Sequence, residues 1–137
     1  MERTESILND FVFEEGFKTK VYTCTAGKMT IGIGHNLEAS GIDEDLLIEQ
    51  FWRDLERVER GLKLLFARYD NFTDARKLAL LQMAFQLGID GVKKFNKMCV
   101  AINAGDWDNA AKEALQSKWA SQTPARAHRM ASRLITG

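Results

Sequence analysis

Three side chains at fixed spacing hold most of the reactive chemistry in this sequence. Glu15 precedes Gly16; eight residues separate it from Cys24, and five more separate Cys24 from Thr30, the head of Thr30-Ile31-Gly32-Ile33-Gly34-His35. Glu15 closes a helical pattern. The helix macrodipole is negative at that end and disfavours a carboxylate, and partial burial would disfavour it further. Both effects hold a carboxyl protonated near neutral pH, the state a general acid requires. Adjacent Glu14 lacks the following glycine and reads as surface. Cys24 offers a thiol, which with an ordinary pKa of about 8.5 is mostly neutral at pH 7 and a weaker base than a carboxylate. Three roles stay open for it: a partial thiolate that positions or activates water, a nucleophile, or a passive small residue lining a site. Thr30 can hold that water through its hydroxyl, or simply fill a strand as a β-branched residue.

The remaining candidates are weaker. Glycines at alternate strand positions mark a close approach to the backbone, so Gly32 and Gly34 would let a ligand lie against bare strand. As a nucleotide loop, Gly32-Ile33-Gly34 fails: the third glycine is missing and no helix opens after a parallel strand. His35 has no Ser or Asp partner at useful spacing and His128 sits beside Arg129, so the first reads as structural and the second as surface. Cys24 and Cys99 are too few and too far apart for a disulfide scaffold or a zinc site, and reduced thiols are expected. No metal and no organic cofactor are implied.

These residues need a scaffold. Apolar Ile7, Leu8, Phe11 and Val12 predict a first helix from about Thr4 to Glu15, stopped by Gly16. Val21-Tyr22-Thr23, a turn at Thr25 to Lys28, and the alternation from Met29 to Gly34 predict a β-hairpin. Leu47, Phe51, Leu55, Val58, Leu62 and Leu65 trace one long amphipathic helix from about Asp43 to Phe66. The rest reads as helix: Thr73 to Leu87 closed by Gly88, about Val92 to Asn103, Asp106 through Lys118, and a last one started by Thr123-Pro124. Trp52, Trp107 and Trp119 read as core. The expected fold is α+β: a small N-terminal lobe with a β-hairpin, over about residues 13–60, and a larger helical lobe, about 61–137. The long helix joins them and helix 1–12 packs on the helical lobe. The whole of 1–137 is read as one domain, and a cleft between such lobes suits a long polymer.

Bulk properties exclude several classes. Nineteen basic and nineteen acidic residues cancel to a net charge of zero, without the basic excess of a dedicated nucleic-acid binder. No stretch approaches the roughly 20 apolar residues of a membrane span, and the charged start Met1 to Ser6 has no signal-peptide core behind it. A chain held at first in the cytoplasm, without stable membrane insertion and acting as a monomer, is the expectation.

The spaced Glu15, Cys24 and Thr30, with Thr30 to His35 intact, resemble the signature of the phage-type lysozymes, glycoside hydrolase family 24. The resemblance continues at Met83-Ala84-Phe85-Gln86-Leu87-Gly88, at Gly91-Val92, at Trp119 and at Gln122-Thr123-Pro124-Ala125-Arg126-Ala127, so nearly the whole chain is covered in order. It implies a lysozyme-like fold and hydrolysis of the β-1,4 bond between N-acetylmuramic acid and N-acetylglucosamine in peptidoglycan. Glu15 would be the acid, Cys24 and Thr30 would hold water, and the anomeric carbon would be inverted. His35 would supply a supporting hydrogen bond and Arg126 would pair with Glu15. Asn36, Phe85 and Gln86 would touch glycan, although Phe85 serves equally well as helix core beside Leu81. Cys24 departs from the commoner Asp, which puts the water-activating role in question. Met98 and Glu113 fall on family contact positions without matching them, and no role carries over there.

The resemblance further implies a phage endolysin that waits in the host bacterial cytoplasm for release to the wall, or a virion component. Two rivals accompany it. One is a catalytically silent peptidoglycan-binding module of a phage particle. The other is a thiol enzyme built on Cys24 and His35.

Overall fold

The computed structural model describes residues 1–137. Thr4 starts the first helix, α1 (Glu5–Glu15), by accepting the Ile7 amide on its hydroxyl at 3.3 Å. Gly16 ends it with φ +76°, a left-handed turn open to glycine, while its amide returns to the Val12 carbonyl at 2.8 Å. Glu15 is therefore the last helical residue.

Three short strands follow, β1 (Lys18–Thr23), β2 (Met29–Gly32) and β3 (His35–Asn36), in one antiparallel sheet of order β1-β2-β3. Tyr22 faces Thr30, Thr23 faces Met29, and Ile31 faces His35. The second strand was expected to run on to Gly34. It stops at Gly32 because Gly32 and Gly34 both take positive φ, +67° and +66°, and turn the chain into β3. A one-turn helix α2 (Leu37–Ser40) comes next, capped by the Asn36 side chain. Its Glu38 accepts the Met29 amide at 3.0 Å, tying it to the head of β2.

The long helix α3 (Glu44–Leu65) matches its expected span closely. Its stripe is buried only over the C-terminal part: Leu62 is fully buried and Leu55, Val58 and Leu65 pack on the core, while Leu47 and Phe51 stay exposed. After a 3-10 turn at Tyr69–Asn71 come α4 (Asp74–Lys93), α5 (Asn96–Asn103), α6 (Trp107–Leu115), α7 (Lys118–Gln122) and α8 (Pro124–Thr136). Gly88, at φ +75° and ψ 164°, breaks α4 where a helix end was expected, and a short helical stretch resumes beyond it. The next helix begins at Asn96 rather than Val92. The helix from Asp106 ends at Leu115, because Ser117 caps a new one by accepting the Ala120 amide.

The chain divides into two compact units, Met1–Glu49 and Gln50–Gly137, with α3 starting in the first and continuing through the second. The second unit holds the core. Leu62, Phe66, Leu80, Met83, Met98 and Leu134 are wholly buried there. Ala110, Ala111 and Ala114 on α6 and Ala127 and Ala131 on α8 are buried as well, and small residues let these two helices approach closely. Trp119 is core as expected and Trp107 half-buried, but Trp52 is 53% exposed, its ring edge-on to Phe51 at 4.9 Å. No helix is long and apolar enough to cross a membrane.

Candidate functional site

In the first unit the turn between β1 and β2 shapes the surroundings of Cys24. The Cys24 amide donates to the Lys28 carbonyl and the Gly27 amide to the Cys24 carbonyl, both at 2.9 Å, with Gly27 at φ +79° closing the loop. The Lys28 amide first, then the Thr30 hydroxyl and the Ala26 amide, hold the Cys24 thiol below its ordinary pKa by donating to the sulfur. The Thr30 hydroxyl has a single proton, and its 2.9 Å bond to the Lys28 carbonyl already uses it. The Lys28 amide is thus the standing contribution, and Thr30 helps only when its hydroxyl swings over. Thr30 itself is 4% exposed.

Glu15 is exposed, and a turn lies against it. That turn is Ile33-Gly34, between β2 and β3, and the Glu15 carboxyl rests where a side chain of residue 34 would stand. The same hairpin carries Thr30 at its base. Glu14 is exposed too. His35, half-buried on β3, directs Nε2 to the Gly41 carbonyl; a carbonyl only accepts, so Nε2 carries the proton. Asn36 faces Thr30 across the sheet, but its Oδ1 is committed to the Ala39 amide at 3.1 Å, leaving the amide NH2 to contact a ligand.

The other expected contact residues belong to the second unit. Phe85 on α4 is 42% exposed and lies 5.7 Å from the Phe51 ring. It is therefore not helix core. Neighbouring Gln86 accepts the Trp119 indole N–H at 2.9 Å through Oε1, which turns its NH2 outward as a donor pair. Arg126 stands exposed in the first turn of α8. A cavity of about 880 Å3 opens beside Trp119, with Met98, Glu113, Lys94, Lys97 and Lys118 in its walls. Met98 and Glu113 thus line one groove.

Both cysteines are free, and burial pushes the Cys99 thiol up, the opposite of Cys24. No cluster of three or more His, Cys, Asp or Glu side chains is placed to hold a metal ion. Sequence reasoning missed two groups. Trp119 was read only as core, although a buried indole N–H needs a partner, and Gln86 was there to supply one. The Lys28 amide left no trace in the sequence, being main chain.

The family model described as phage lysozyme matches residues 13–133 of this chain. The chain is 34% identical to the pre-baseplate central spike protein Gp5 of Enterobacteria phage T4, over 90% of its own length but only 26% of that protein. It is 29% and 30% identical to probable T4-type lysozymes 1 and 2 of Dictyostelium discoideum, over 96% of this chain and 95% of each relative.

Proposed function

Because the chain belongs to the phage lysozyme family and is a lysozyme enzyme, we propose that it hydrolyses the β-1,4 bond between N-acetylmuramic acid and N-acetylglucosamine in peptidoglycan, with Glu15 as general acid. One observation supports this assignment most: Glu15 ends α1 exposed, with its carboxyl resting on the hairpin that carries Thr30. In this reading Glu15 gives its proton to the bridging oxygen as the bond breaks, and a water attacks the opposite face of the sugar, inverting the anomeric carbon. Cys24, its thiolate favoured by the Lys28 amide, takes the proton from that water. Thr30, its own proton already donated, accepts the water's second hydrogen bond through a lone pair. Phe85 offers an apolar face to a sugar ring and Gln86 the donor pair that Trp119 orients.

Glu15→Gln tests the assignment on purified cell wall, with muropeptides read by mass spectrometry. The parent enzyme should release reducing ends and the variant about 10²–10⁴-fold fewer per unit time, the usual worth of a positioned acid. Anhydro ends would replace hydrolysis by transglycosylation, and undiminished release would dispose of Glu15 as the acid.

The match to a spike protein favours a second reading of where the enzyme works: as a wall-cutting module of a phage particle rather than a free endolysin released from the host cytoplasm. Purified particles digested and sequenced by mass spectrometry should contain this chain under the second reading and lack it under the first.

A further inference from the structure

Gly34 and Gly32 share a backbone conformation, φ +66° and +67°, yet differ in what surrounds them. A Cβ built on Gly32 meets nothing within 4 Å. One built on Gly34 would stand 2.7 Å from Glu15 Oε2, 3.1 Å from its Cδ and 3.2 Å from its Cγ. The sequence suggested that both glycines bare the strand for a ligand. At Gly34 the bare backbone is already occupied, by the carboxyl itself.

We infer that Gly34 is a positioning residue for Glu15: the side-chain-free turn between β2 and β3 is the wall that sets where the carboxyl presents its proton. The inference rests on Glu15 being the acid. Ordinary contact begins near 3.4 Å, so a methyl at position 34 would drive Oε2 back by some 0.7 Å. The colliding atoms are the far end of a flexible side chain, so the carboxyl yields before the backbone does. Stability then suffers only from the positive φ, as it would at any such glycine, whereas proton delivery suffers from the displacement. Misplacing a reacting group by about 1 Å can cost roughly 10²-fold in rate.

The test compares Gly34→Ala with Gly105→Ala, a substitution in the second unit at φ +74° with nothing within 4 Å. Both should lose similar thermal stability. Gly34→Ala alone should lose about 10- to 100-fold in kcat on cell wall with little change in KM. On an aryl glycoside with a dinitrophenolate leaving group, which departs without protonation, Gly34→Ala should keep most of its kcat. Gly34→Asn supplies the same Cβ on a residue that tolerates positive φ, so it reports even if the alanine variant folds poorly. Equal kcat losses on the two substrates, or no loss on wall, would overturn the inference while leaving Glu15 as the acid. Full activity of Glu15→Gln on wall would overturn both.

Discussion

Trp119→Phe removes the donor that holds Gln86 and keeps most of the ring that fills the core. Two costs follow for stability. The bond to Gln86 Oε1 spans 2.9 Å, and losing such a bond costs about 1 kcal/mol net, since exposed Gln86 regains water. Truncating a buried indole, 5% exposed and edge-on to Phe95, leaves a small void worth roughly 1–2 kcal/mol. Urea unfolding should therefore show a loss of about 2–3 kcal/mol at unchanged m. For activity the consequence differs. A freed Gln86 must be ordered again by the substrate, at about 0.5–1.5 kcal/mol, or about 2- to 13-fold in kcat/KM. A double-mutant cycle with Gln86→Ala on solubilised glycan strands isolates that part. In the Gln86→Ala background, Trp119→Phe should have little further effect on kcat/KM. An equal loss in both backgrounds would refute the claim that Trp119 acts on substrate through Gln86.

Two further outcomes are expected. The lowered Cys24 pKa means that the thiolate appears at lower pH than in a free cysteine, so iodoacetamide should alkylate Cys24 at lower pH and faster than Cys99, whose thiol burial pushes up; Cys24→Ala should lower kcat on cell wall, and an undiminished kcat would make Cys24 a passive lining residue. Arg76 donates Nε to the Leu134 carbonyl at 2.9 Å and covers the Trp107 ring at 4.4 Å, so Arg76→Ala should cost about 2–4 kcal/mol in urea unfolding with kcat untouched, and a loss under 1 kcal/mol would show that α8 is held by packing alone.

Much of this architecture follows from local rules visible in the chain itself. The first helix and the long helix were readable because each pairs an apolar period with an end signal, Thr4 and Gly16 for one, the Leu-rich stripe for the other. The hairpin was placed, but its second turn was not. Alternation from Met29 to Gly34 looks like one strand unless two glycines with an apolar residue between them are read as a reversal. The helices after Gly88 were harder, since Ser117 is one unremarkable polar residue until its hydroxyl is seen accepting the Ala120 amide. For the site, side-chain chemistry was readable and main-chain chemistry was not. Glu15, Cys24 and Thr30 stood out by type and spacing, whereas the Lys28 amide beside Cys24 and the seat that Gly34 gives the Glu15 carboxyl depend on how the backbone turns. Trp52 shows the limit of periodicity: it lies near an apolar stripe, yet no core covers it.

Glu15 delivering a proton to a departing oxygen is tested most directly by changing how much that oxygen needs one. Glu15→Gln should lose about 10²–10⁴-fold on cell wall, whose leaving group is a sugar hydroxyl, and far less on a dinitrophenyl glycoside of N-acetylmuramic acid, whose leaving group needs no proton. Equal losses on both would mean that Glu15 supports the fold or the glycan instead of donating a proton.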